Sequence, residues 1–62
     1  MKQADLIRYL EKQGCALLLE SSDHAVYVNR AAMKASAVPL HHEIDEFLSA
    51  KICRDLAIRE PS

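Results

Sequence analysis

The chain has one glycine, two prolines and two cysteines among 62 residues, and its longest unbroken apolar run is Cys15 to Leu19. Each scarcity removes a class of protein. With half of the residues apolar and glycine nearly missing, the composition excludes a disordered or linker-like chain. So short an apolar run cannot span a bilayer, and no signal peptide or lipidation motif is present, so a cytoplasmic protein with no membrane partner is expected. Cys15 and Cys53 belong to no CxxC or Cys/His spacing and fall inside apolar segments. They read as reduced packing residues, not as a disulfide, a nucleophile or zinc ligands.

An excess of positive charge is also missing, since the formal net charge is −1. Residues 1–22 balance, residues 23–42 carry Arg30 and Lys34 against Asp23, and residues 43–62 carry more acids than bases. Charge alone therefore does not mark a nucleic-acid binder, and any basic patch has to be local. A chain of this length makes one small domain, which buries only about 60% of the surface its unfolded form exposes. A single domain over 1–58 is expected, with 59–62 as a frayed tail. A tightly bound partner would add stability by mass action.

What is present is periodicity. Leu6, Ile7 and Leu10 stand at helical spacing within 3–13, Asp5 sits where it complements the helix dipole, and Gly14 fits the left-handed position that ends helices. Cys15-Ala16-Leu17-Leu18-Leu19, between that glycine and the turn Ser21-Ser22-Asp23, reads as a strand. Ala25 to Asn29 alternates, with His24, Val26 and Val28 on one face and Ala25, Tyr27 and Asn29 on the other. Residues 29–33 read as a hairpin connection and Lys34 to Val38 as a third strand closed by Pro39. Ile44, Phe47, Leu48, Ile52 and Leu56 recur at three- and four-residue spacing, predicting a helix from Asp45 or Glu46 to about Leu56. The expected fold is α+β, ordered α-β-β-β-α, with a three-stranded antiparallel sheet and both helices on one face.

His24 is the leading candidate for chemistry. Imidazole moves protons near neutral pH, and a junction between turn and strand holds it firmly while leaving it open to solvent. By itself, a histidine that begins a strand is more often a surface or turn residue. Other side chains also carry two readings. Tyr27 suits either base stacking or packing, Arg30 and Lys34 are hairpin cations, and His41-His42 is a loop that positions the last helix. The acidic run from Glu43 to Glu46 reads as charge at a helix N-terminus. His24, His41 and His42 have no carboxylate or cysteine at ligand spacing, so no metal and no cofactor is expected.

The stretches Asp5-Leu6-Ile7-Arg8-x-Leu10-Glu11-x-x-Gly14, Asp23-His24-Ala25-Val26-Tyr27-Val28-Asn29, Val38-Pro39-x-His41-x-Glu43-Ile44 and Lys51-Ile52-Cys53-Arg54-Asp55-Leu56 resemble, in order and spacing, the HicA (YcfA-like) family. The resemblance covers nearly the whole chain. It implies a toxin of a type II toxin-antitoxin pair, a messenger-RNA interferase whose fold is like a double-stranded RNA-binding domain. It also implies that His24 is catalytic, that RNA is the substrate and that a HicB-like antitoxin is the partner. Ser21-Ser22, Leu40 and Ala57 stand where members commonly carry glycine, a basic residue and glycine.

RNA supplies its own nucleophile in the ribose 2′-hydroxyl, so one imidazole acting as general base is the chemistry to expect of His24. Arg30 and Lys34 are the first candidates to hold phosphate, Lys51 and Arg54 the second, with His41 assisting. The free protein is expected to be a monomer that forms a hetero-oligomer with its antitoxin. The competing expectation is a HicA-like module that binds a protein or RNA without cutting it.

Overall fold

In a computed structural model that describes residues 1–61, the chain runs α1 (Gln3–Lys12), β1 (Ala16–Glu20), β2 (His24–Asn29), β3 (Lys34–Pro39) and α2 (Glu46–Asp55). Helix α1 forms because Leu6 and Leu10, one turn apart, both reach full burial while Arg8, Glu11 and Lys12 stay in water. Its end is a backbone device. The Cys15 N–H donates to the Leu10 carbonyl (2.9 Å) and the Gly14 N–H to Glu11 (3.1 Å), which requires the left-handed φ of +90° at Gly14. A β-carbon at Gly14 would meet nothing, so glycine is needed there for its backbone freedom alone.

Helix α2 begins at Asp45, whose carboxylate accepts the Leu48 N–H at 2.8 Å. It ends in the same motif as α1. Ala57 donates to Arg54 and Ile58 to Cys53, at 3.0 and 2.9 Å. Here the left-handed residue is Ala57, with φ +57°.

The three strands make one antiparallel sheet in the order β1-β2-β3. Its alternation is as the sequence predicts. Ala25, Tyr27 and Asn29 of β2, with Ser36 and Val38 of β3, are buried. They join Leu6 and Leu10 of α1 and Ile52, Cys53 and Leu56 of and beyond α2 in a continuous core, so both helices cover one face. Tyr27 therefore packs, and burial with the nearby Glu11 and Glu20 carboxylates pushes its hydroxyl's pKa up. The Asn29 amide donates to the Leu56 carbonyl at 2.8 Å, tying the end of β2 to the end of α2.

Strand β1 starts one residue later than the apolar run suggests and does not alternate simply. Leu17 pairs with Tyr27 but Leu19 with Val26, so Leu18 is an extra residue in a bulge. Leu18 and Leu19 consequently both flank the uncovered face, each slightly more than half exposed. Phe47 is a second departure. It is 92% exposed, not part of the buried stripe, because Ile44, Ile52 and Leu56 are fully buried at four-residue multiples and Phe47 falls on the face of Lys51 and Arg54.

The chain start is tied to the loop before α2, with Gln3 N–H donating to His42 (2.9 Å) and Ile44 N–H to Met1 (2.8 Å). In the stretch expected to fray, the Tyr9 hydroxyl donates to the Arg59 carbonyl and Glu60 pairs with Arg54. Ser62 lies outside the described residues.

Candidate functional site

His24 is held by its backbone. The Ser21 N–H donates to the His24 carbonyl at 2.8 Å, and the His24 N–H donates to the Ser21 hydroxyl oxygen at 3.2 Å. The turn that delivers His24 contains no positive φ, so Ser21 and Ser22 occupy it without the strain a left-handed position would impose. The side chain is exposed, in step with Val26 and Val28 on the face that neither helix covers. Across the sheet His24 pairs with Pro39, and the Leu40 N–H donates to the Asp23 carbonyl at 3.0 Å. That bond brings the segment leading to His41 alongside the His24 turn.

The basic candidates are elsewhere. Lys34 pairs with Asn29 at the other end of β2, and Arg30 lies in the adjoining turn. Five residues of strand separate that end from His24, about 17 Å at the usual rise. No single phosphate can be shared across that gap. Lys51 and Arg54 belong to α2, on the covered side, and both are already engaged. Lys51 Nζ is 2.8 Å from Asp55 Oδ2, and Arg54 Nη1 is 3.5 Å from Glu60 Oε2. The Lys51 hydrogen bond holds the Asp55 carboxyl below the usual aspartate range, with further help from Ser36.

The structure thus groups the sequence candidates into three places: His24 with the His41 segment, Arg30 with Lys34, and Lys51 with Arg54. Next to His24 the turn and strands supply Asp23, the hydroxyls of Ser21 and Ser22, and the apolar strip Leu19, Val26 and Ala37, while Glu20, opposite Ala25, belongs to the covered side. No Lys or Arg stands between Lys12 and Arg30 in the chain. At the hairpin end Arg30 and Lys34 flank a shallow hollow of about 260 Å³ lined by Leu18, Val28, Met33 and Ala35. Neither cation makes an ion pair among the described residues. Composition gave no sign of this hollow, because it depends on the bulge that turns Leu18 toward Val28.

Cys15 and Cys53 are both buried in the core, and burial pushes both thiols up, further from the reactive thiolate. Among the described residues no group of three His, Cys, Asp or Glu side chains gathers as a metal site, and no helix is long and apolar enough to cross a membrane. Compared with known proteins, the chain matches no family model, no curated protein and no solved structure.

Proposed function

We propose that this chain is a HicA-like toxin, a metal-independent endoribonuclease acting on messenger RNA in the cytoplasm and neutralised by a HicB-like antitoxin. The observation that carries the reading is His24: an open imidazole on a backbone fixed by Ser21, at the mouth of a turn on an uncovered sheet face. In the reaction the ribose 2′-oxygen attacks phosphorus in line as His24 takes its proton. The bond to the 5′-oxygen breaks, that oxygen gains a proton from water, and the products are a 2′,3′-cyclic phosphate and a 5′-hydroxyl. One such base contributes about 10²–10⁴-fold.

On this reading the supporting roles divide between the two ends of β2. His41, at the same end, is the candidate to meet the reacting phosphate, while Arg30 and Lys34 would hold the RNA backbone at a more distant one. Lys51 and Arg54 would first have to leave Asp55 and Glu60.

A second reading has its own observation. The strip beside His24 is apolar and its turn carries Asp23 and no cation, which suits a module that binds a protein partner without cleaving RNA better than it suits a polyanion. The test is incubation of the partner-free protein and its His24→Ala variant with mixed RNA, reading strand breaks and the chemistry of the new ends. Breaks ending in cyclic phosphate that vanish in the variant, and fail on RNA lacking the 2′-hydroxyl at the cut site, are expected of the nuclease. Equal absence of breaks in both proteins assigns the binding module.

A further inference from the structure

Two backbone irregularities meet at the hairpin end of the open face. The β1 bulge makes Leu18 the extra residue and sets it, slightly more than half exposed, beside Val28. In the β2–β3 turn Met33 holds a left-handed φ of +58°, where glycine would be unstrained, and its side chain is 88% exposed. A side chain so exposed returns little packing to the chain that carries it. Both residues line the hollow of about 260 Å³ with Val28 and Ala35, and Arg30 and Lys34 belong to the same lining. Lys34 starts on the covered side of β3, opposite Asn29, and borders the hollow at the end of the sheet. Among the described residues no carboxylate lines the hollow, and the chain carries none between Asp23 and Glu43. Asp55, which bonds Ser36, is held by Lys51. Arg30 and Lys34 are left without an ion pair among the described residues.

We propose that this hollow docks an acidic segment of another protein, one large apolar side chain entering it against Leu18, Val28 and Met33 while neighbouring carboxylates meet Arg30 and Lys34. Size, charge and lining chemistry each narrow the occupant. The hollow is smaller than the about 300–1,000 Å³ of small-molecule pockets, so it suits a single side chain better than a whole metabolite. Two unpaired cations with no acid in the lining call for an anionic neighbour to that side chain. A flexible, polarisable Met33 on the rim adapts to apolar side chains of different shape.

RNA is the other polyanion that these cations could meet, and the hollow fits it less well. No aromatic ring lines it to stack a base. An RNA backbone held by Arg30 and Lys34 would also leave Leu18 and Met33 uncovered. Because the hollow lies at the opposite end of β2 from His24, the proposal does not rest on the nuclease reading. Where His24 does cut RNA, a docked acidic segment takes from the RNA the two cations that would hold its backbone. One anchor and two charge contacts make a weak, exchanging complex.

The test uses short labelled peptides, each a run of Asp and Glu around one central residue that is Leu, Phe, Met or Ser, titrated with the chain and read by fluorescence anisotropy at low salt. The peptides with an apolar centre should bind about tenfold more tightly than the Ser-centred one. Arg30→Glu should weaken their binding by about tenfold, and Leu18→Ser by about fivefold or more. Lys2→Glu changes the net charge equally but lies beside Glu43, before α2, and should change binding by less than about twofold. Leu18, Arg30 and Lys2 are all exposed, and circular dichroism checks that each variant keeps the fold. Absence of binding by every apolar-centred peptide overturns the proposal, as does equal binding of the Ser-centred one or equal losses from Lys2→Glu and Arg30→Glu. A single-stranded RNA that binds through Arg30, is indifferent to Leu18→Ser and outcompetes every peptide would make this end a nucleic-acid contact and would also overturn it.

Discussion

The two faces of the sheet are made from the same strands, yet they are built to different specifications. The covered face has Ala25, Tyr27 and Val38 packed against two helices, and the polar side chains that the sheet itself buries there are answered: Asn29 by the Leu56 carbonyl, Ser36 by Asp55. The open face has a comparable number of apolar side chains and nothing over them. In β2 the two sets alternate residue by residue, so hydrophobicity alone does not say which side is core. The helices decide it, because Leu6, Leu10, Ile52 and Leu56 can be buried against only one side.

The largest effect that would break this contrast is a cavity on the covered side. Leu56→Ala removes a fully buried side chain from the junction of β2 and α2 and should cost about 2–5 kcal/mol. A single core of this size supplies only about 3–5 kcal/mol, so the variant should be largely unfolded by urea titration. Leu18→Ala on the open face should stay within about 0.5 kcal/mol of the original. Equal losses from the two would mean that the open face is buried after all. The thiols offer a parallel reading, since Cys15 and Cys53 should react with a thiol reagent only as the chain unfolds.

Next in size is Asn29→Ala. The buried amide of Asn29 satisfies the Leu56 carbonyl at 2.8 Å, and its loss leaves a buried acceptor unpaired at a cost of about 1–3 kcal/mol. Urea midpoints of the two proteins measure it. A change of a few tenths would mean that water reaches the Leu56 carbonyl in place of the amide.

The parts of the fold that were legible in the sequence are those set by a single periodicity. Alternation in β2 placed His24, Val26 and Val28 together, Gly14 marked the end of α1, and the start of α2 was read to within one residue, at Asp45 or Glu46. Features that arise from two elements meeting were not. The bulge at Leu18 is a property of the β1–β2 register, and nothing in a run of three leucines reveals which of them is the extra residue. Phe47 fits a stripe at three- and four-residue spacing as well as Leu48 does, and only the position of the sheet excludes it. For the candidate site, His24 was legible because the turn before it is. The scatter of its basic companions was not, since residues close in sequence across a hairpin lie at the far end of β2 from the turn that begins it.

The two helix ends sharpen the comparison at about 1 kcal/mol. Both use the same pair of backbone hydrogen bonds, but α1 has glycine in the left-handed position and α2 has Ala57, whose β-carbon is unfavourable there. Ala57→Gly should raise stability by about 0.5–1 kcal/mol, and Gly14→Ala should lower it by about 1 kcal/mol. Met33, left-handed with φ +58° and exposed in the β2–β3 turn, should respond to glycine in the same direction. Thermal denaturation distinguishes these outcomes, and a destabilised Ala57→Gly protein would mean that the alanine methyl contributes packing.

The smallest effect concerns Asp55, where the covered face reaches water through Ser36 and Lys51. Its carboxyl is lowered below the ordinary value of 3.8, first by the Lys51 hydrogen bond. The unfolded chain therefore binds the proton more tightly than the folded one. The contribution is fully present above the ordinary aspartate value and is lost as the pH falls through the lower folded value. Lys51→Met should remove most of that dependence, so the urea midpoints of the two proteins should converge on acidification from neutral pH to below the folded value. Because the pair is exposed, the gap between them should also narrow with added salt. A gap unchanged by acid would mean that Lys51 supports α2 through its aliphatic stem and not through Asp55.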